Sequence, residues 1–186
     1  MMPKKETKLR RKYMKRFVAM MMALMMGLSL FGCDTAGGNG GDGSYKLGDK
    51  VSTMFFEFSV DSAQWVDEVN GYTASEGKVL LETKITMKNI TGSAIPMGIY
   101  DFQAQWGDDE NDEAFTYQSE DITGEDIIPL EFTLEAGESA TYRVIFEVPA
   151  GSTQLSISTL DYYTDENGDD AEGDVYFVYF QLEAKS

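Results

Sequence analysis

From Lys46 onward apolar and polar residues alternate with a period of two, and no stretch keeps a helical period beyond about a turn. In TMFFEFSV (Thr53–Val60) the pattern puts Met54, Phe56, Phe58 and Val60 on one face. VLLETKITM (Val79–Met87) turns Val79, Leu81, Ile85 and Met87 inward and Glu82, Lys84 and Thr86 outward. TYRVIFEV (Thr141–Val148) sets Tyr142, Val144, Phe146 and Val148 against Thr141, Arg143 and Glu147. Gln154–Leu160 is a further short strand. VYFVYFQL (Val175–Leu182) is apolar on both faces, as a central strand buried on both sides should be. Between these runs stand Gly71, Glu76-Gly77, Thr91-Gly92, Gly107-Asp108-Asp109, Ala136-Gly137, Pro149-Ala150-Gly151 and Asn167-Gly168. Short strands separated by such turns predict an all-β chain folded as an antiparallel sandwich. Residues 47–184 are expected to form one domain, with no boundary and no internal repeat inside it.

The start of the chain follows another rule. Met1–Arg16 holds eight basic residues against Glu6, and Phe17–Phe31 then runs for 15 residues without a charge. A helix of that length rises about 22 Å, short of a bilayer core of about 30 Å. A basic segment, a short apolar segment and a small residue before a cut describe an export signal over residues 1–32. Leu30-Phe31-Gly32-Cys33 resembles the lipobox of bacterial lipoproteins, although Phe31 departs from the usual small or β-branched residue there. The resemblance implies cleavage between Gly32 and Cys33, lipid on the Cys33 thiol, and attachment to the outer face of the cell membrane.

Cys33 is the only cysteine and the chain has no histidine. With Cys33 lipidated, no disulfide or zinc–thiolate site can form. The absence of imidazole removes Ser-His-Asp and Cys-His triads and HExxH zinc sites together. Eight of the 11 methionines precede Gly32, which leaves little for a methionine-rich copper site. No cofactor is implied.

Residues 33–46 read as the lipidated Cys followed by a glycine-rich tether, Gly37-Gly38-Asn39-Gly40-Gly41-Asp42-Gly43 at its centre. Thr35–Ser44 spans about 17 Å as a flexible coil, beyond a screening length of about 8 Å at physiological salt. Without residues 1–32 the chain keeps 7 of its 15 basic and 31 of its 32 acidic residues, a net charge of −24. So acidic a surface argues against nucleic acid or anionic headgroups as partners.

Glu76-Gly77-Lys78-Val79-Leu80-Leu81 and Met87-Lys88-Asn89-Ile90-Thr91 resemble a block found in an uncharacterised family of bacterial lipoproteins with an immunoglobulin-like domain. Asp101-Phe102 and Phe115-Thr116-Tyr117 fit the aromatic positions that follow in that family. Leu134-Glu135-Ala136-Gly137-Glu138-Ser139 with Arg143–Pro149 fits its later segment. The resemblance implies an immunoglobulin-like β-sandwich similar to secreted immunoprotective-antigen sandwiches, with export and surface tethering, and carries no catalytic residues. Physically, Pro149 should stop its strand because it cannot donate to a ladder. Asn89-Ile90-Thr91 matches a glycosylation sequon but is better taken as a strand end.

Two acidic runs, Asp108–Glu113 and Asp165–Asp174, are rich in oxygen ligands. Neither has EF-hand spacing: with Gly168 as the sixth position, Tyr163 stands where an Asp is required. Solvated loops are the preferred account, with weak calcium binding as the alternative. A glycosidase needs two acids about 5–9.5 Å apart, and the sequence offers no way to choose a pair. Trp65, Trp106, Tyr162, Tyr163 and Tyr176 are candidates for stacking on a sugar or peptide. Trp65 and Trp106 are expected in the core. Tyr162 and Tyr163 are expected as an exposed pair beside the acidic hairpin and are the candidate contact surface. The function expected is a non-catalytic binding module for a protein, glycan or small ligand. A carboxylate-dependent, glycan-active enzyme and a structural envelope component are the alternatives.

Overall fold

The computed structural model describes residues 44–107 and 114–185. The export signal, Gly32, Cys33, most of the glycine tether and the first acidic run lie outside the described residues. Those described contain no helix, and their strands are β1 (Ser44–Lys46), β2 (Val51–Ser52), β3 (Phe56–Val66), β4 (Glu68–Val69), β5 (Tyr72–Thr73), β6 (Lys78–Asn89), β7 (Ile95–Gly98), β8 (Gln103–Trp106), β9 (Phe115–Thr116), β10 (Glu131–Leu134), β11 (Ser139–Pro149), β12 (Gln154–Thr164) and β13 (Asp170–Gln181).

They form a five-stranded sheet in the order β1-β13-β12-β8-β9 and a four-stranded sheet in the order β11-β6-β3-β2, with small β10-β7 and β4-β5 pairs. All ladders are antiparallel except β1 with β13. Placing β3, β6 and β11 in one sheet and β8, β12 and β13 in the other reproduces the strand partition of an immunoglobulin-type sandwich. The core lies between the sheets. Phe56, Phe58 and Phe102 meet edge-on or tilted at 5.5–6.1 Å between ring centroids. Val60, Ile85, Met87, Val144, Phe146, Ile157 and Val178 close around them with no exposed surface. Burying each such side chain contributes about 1.5–3 kcal/mol.

Met54 departs from the expected face and is 53% exposed. The reason is the turn between β2 and β3. The Thr53 hydroxyl accepts the N–H groups of Phe55 and Phe56 and donates to the Phe56 carbonyl, so alternation starts only at Phe56. Asp61 is the extra residue at a bulge between Val60 and Ser62, after which Ala63 and Trp65 take over the inward positions.

The four-stranded sheet buries a second apolar cluster on its outer side. Leu80 and Ile145 sit there beneath Val69, Ile122 and Ile127. Gln118 fixes this cover: its Nε2 donates to the Ile122 and Ile128 carbonyls, and its Oε1 accepts the Ile145 N–H at 3.0 Å. Residues 126–128 also pair with Arg143 along the edge of β11, closing a ladder that would otherwise present free backbone groups. Arg143 holds the carboxylates of Glu82 and Asp126 beside it.

β6 ends at Asn89, as the sequence suggested. The side chain is fully buried: Nδ2 donates to the Ser93 and Leu134 carbonyls, and Oδ1 accepts the Thr91 N–H and hydroxyl. β11 ends at Pro149. A Cβ on Gly98 would lie 2.1 Å from the Leu130 carbonyl oxygen, so glycine is what lets β7 and β10 approach.

β13 corrects the expectation for Val175–Leu182. Val178 and Phe180 point into the core, but Val175 and Phe177 are half-buried and Tyr179 is 49% exposed. Only one side of this sheet packs on the other sheet, so the strand is buried on one face rather than two.

A candidate binding face on the five-stranded sheet

Successive residues of a strand take opposite faces, so the residues that enter the core fix the side of their neighbours. Ala104 of β8, Leu155 and Ile157 of β12, and Val178 and Phe180 of β13 belong to the core. The outer side therefore carries Gln103 and Gln105, then Ser156 and Ser158, then Phe177 and Tyr179. The ladders set these side by side: Gln103 against Ser158 and Ser158 against Phe177; Gln105 against Ser156 and Ser156 against Tyr179. Phe115 of β9 lies beyond Gln105, and Lys46 of β1 lies beyond Tyr179. Although acids outnumber bases 32 to 15 over the chain, none of these residues is acidic.

The face has an aromatic row on each flank. Phe177 and Tyr179 stack at 5.7 Å with their planes 18° apart. Opposite them, Phe115, Tyr117 and Tyr100 meet edge-to-face at 5.8 and 5.4 Å. Between the rows lie amides and hydroxyls. Gln105 Nε2 donates to the Ser158 hydroxyl at 3.2 Å. Gln103 is 1% exposed, and neither its Oε1 nor its Nε2 has a hydrogen-bond partner. An unpaired buried amide costs about 1–3 kcal/mol.

Beside the Tyr100 row, Asp101 Oδ2 accepts the Gly98 N–H at 2.6 Å, and burial pushes its carboxyl up to about 6. Burial, then the neighbouring Asp101 and Tyr100, push the Tyr117 hydroxyl up to about 12. Tyr100 donates to the Glu120 carboxylate. Tyr100 and Leu130 border an open groove of about 500 Å³ with Pro96, Asp101 and Phe132. Leu130 also borders a smaller one of about 240 Å³, lined largely by Ile99, Ile122, Ile127 and Ile128.

At the other end Asp161 joins the sheets. It is 2% exposed, and its oxygens accept the Met54 N–H at 3.1 and 3.2 Å and the Tyr176 hydroxyl at 3.0 Å. Burial raises the Asp161 carboxyl pKa, and these bonds only partly oppose it. Burial and the Asp161 carboxylate together raise Tyr176. Tyr176 therefore faces inward rather than outward.

Tyr162 and Tyr163 do not form the expected exposed pair. They are half-buried and adjacent on β12, hence on opposite faces. The exposed aromatic of this sheet is Tyr179. Trp65 and Trp106 are half-buried against the core, and Trp65 Nε1 donates to the Glu183 carbonyl at 2.7 Å. In the second acidic run, the Asp165 carboxylate accepts the N–H groups of Asn167 and Asp169, both at 2.9 Å. The Asp169 N–H first, then Asn167, hold the Asp165 carboxyl below its usual range. Among the described residues no three or more His, Cys, Asp or Glu side chains are grouped to hold a metal ion. Sequence reasoning missed Gln103, Gln105, Ser156 and Ser158. The signal was present in QLSISTL, whose serines alternate with Leu155 and Ile157.

Fold and face together define an antiparallel β-sandwich with an aromatic-flanked sheet surface whose central residues are uncharged. Residues 45–177 match the family model described as "Domain of unknown function (DUF4352)", and the chain belongs to that family. A search of curated proteins finds no match. Among solved structures the chain is similar to a "putative lipoprotein (ycdA)" from Bacillus subtilis subsp. subtilis str. 168, with 14% identity and a TM-score of 0.50. That likeness covers 69% of this chain and 38% of the other, so the chain spans well under half the length of that protein. It is also similar to the yjhA protein from Bacillus subtilis (19% identity, 62% of this chain and 81% of that one, TM-score 0.47). An uncharacterized beta-sandwich protein from Clostridium difficile 630 matches with 16% identity over 78% of this chain and 99% of the other, at a TM-score of 0.44.

Proposed function

We propose that this protein is an exported lipoprotein, cut before Cys33 and held at the outer face of the membrane by lipid on that residue. Its sandwich acts there as a non-catalytic binding module. The observation that carries the second half is the outer side of the five-stranded sheet, where none of the residues named above is acidic, in an otherwise acidic domain. The first half is supported by the basic, apolar and small-residue order ahead of Cys33. One acyl chain anchors only marginally and two anchor stably, so membrane retention requires that more than one be attached. The partner is a protein, glycan or small ligand rather than nucleic acid, whose phosphates the acidic surface repels. Similarity to immunoprotective antigens rests on the sequence resemblance alone.

Mass spectrometry of membrane fractions from cells carrying wild type or Cys33→Ala tests the anchor. Wild type should begin at a lipid-modified Cys33, and the variant should leave the membrane. An unmodified wild type that partitions like the variant refutes the anchor.

A further inference from the structure

We propose that the outer side of the five-stranded sheet binds an uncharged oligosaccharide of pyranose rings, seated between the Phe177–Tyr179 row and the Phe115–Tyr117 row above the Gln103 amide. The inference rests on the binding-module reading and adds the ligand class.

Charge supplies the first argument. A cationic partner would find complementary carboxylates on much of this domain but none among the residues of this face, and an anionic one would be repelled by the domain as a whole. The face thus suits a ligand without charge. A second copy of the chain fits poorly, because it would bring two strongly negative bodies together with only Lys46 on each face to offset them.

Shape and hydrogen bonding supply the second. A pyranose ring has two C–H faces and a rim of hydroxyls. The C–H faces match aromatic rings, and Phe177 and Tyr179, stacked 5.7 Å apart with planes within 18° of parallel, supply two of them on one flank. The rim matches amides and hydroxyls, which are what Gln103, Gln105, Ser156 and Ser158 place between the rows. Gln103 is the independent pointer: it is buried, its Oε1 lacks a donor, and its Nε2 lacks an acceptor. A sugar hydroxyl donates and accepts through one oxygen, so neighbouring hydroxyls can satisfy both amide atoms. Gln103, Ser156 and Ser158 are 1%, 5% and 0% exposed, so contact with them needs the flanking side chains to change rotamer, a picosecond-to-nanosecond event at a surface.

The test is calorimetric titration of the full-length, detergent-solubilised protein with chitohexaose, cellohexaose and maltohexaose. Tyr179→Ala and Gln103→Leu probe the face, and Lys88→Ala on the opposite sheet is the control. At least one saccharide should bind wild type and Lys88→Ala at about 1 mM or below. Tyr179→Ala should weaken it about tenfold or more. Gln103→Leu should also weaken it while its melting temperature stays level or rises, which a purely structural glutamine would not allow. No binding by any of the three, or equal binding by wild type and Tyr179→Ala, overturns the proposal. Self-association that Tyr179→Ala abolishes, without saccharide binding, overturns it in favour of a second copy. Mass spectrometry of the same sample separates the two readings: lipid on Cys33 without saccharide binding refutes this inference alone, and an unmodified Cys33 refutes the anchor alone.

Discussion

Asn89→Ala probes how one side chain closes the end of β6. Asn89 has no exposed surface, and its four hydrogen bonds reach Ser93, Leu134 and Thr91 at 2.8–2.9 Å. The losses are unequal. Ser93 is exposed and Thr91 half-exposed, so water can partly replace the amide there, at about 0.5 kcal/mol for each bond. Leu134 is 1% exposed, and stranding its carbonyl costs about 1–3 kcal/mol. Together the substitution should cost about 3 kcal/mol, or roughly 10 °C in melting temperature for a domain of this size. Urea unfolding followed through Trp65 and Trp106 measures it, with an unchanged m-value showing that the unfolded state is unaltered. Asn89→Asp keeps the two acceptor bonds, loses both donors and buries a charge. It should be worse than alanine at pH 7 and recover on acidification. A loss below about 1 kcal/mol for Asn89→Ala would refute the view that this amide holds the strand end together.

Four further expectations follow from other sites. Leu80→Ala removes the centre of the outer apolar cluster and should cost about 2–5 kcal/mol by urea unfolding; a change within 0.5 kcal/mol would mean that the 118–128 cover is not packed. Gly98→Ala drives a methyl into the Leu130 carbonyl and should cost about 1–3 kcal/mol, whereas an unaffected melting temperature would contradict the close approach. For Asp101, burial raises the folded pKa from 3.8 to about 6, so its contribution to stability is present below about pH 4 and is lost as pH rises through about 6. Asp101→Asn keeps an acceptor for Gly98 and should gain on wild type across that window; a wild-type-minus-variant difference that is flat with pH would remove the argument. Asp165 Oδ1 already accepts the Asn167 and Asp169 N–H groups and Oδ2 accepts Asn167 Nδ2, so about 1 mM calcium should leave the melting temperature unchanged, and a rise reversed by chelator would restore the calcium alternative.

The strands were legible because their periodicity is strong. Phe58, Leu81, Ile85, Val144 and Phe146 each occupy the face that alternation gives them. Runs that are apolar on both faces were harder, since period alone cannot say whether a second layer exists. At Leu80 and Ile145 that layer does exist, supplied by Ile122 and Ile127 from a connecting segment with no regular pattern of its own. At Phe177 and Tyr179 the same signature leaves a half-buried row on the surface. Met54 and the Tyr162–Tyr163 pair show the second limit. A threonine-bonded turn resets the alternation before Phe56, and adjacency on a strand separates two tyrosines that look like a patch in one dimension. Gln103 could not be singled out from sequence, because its significance lies in the partners it lacks.

The chain enters the sandwich through β1, which shares three register positions with β13 and runs in the same direction. A pull on the amino terminus therefore acts along the axis of that short ladder, straining its hydrogen bonds in shear and together rather than unzipping them one after another. A body dragged by its leash would yield first at Ser44–Lys46. The interleaved phenylalanine core behind would still be intact when those three residues let go.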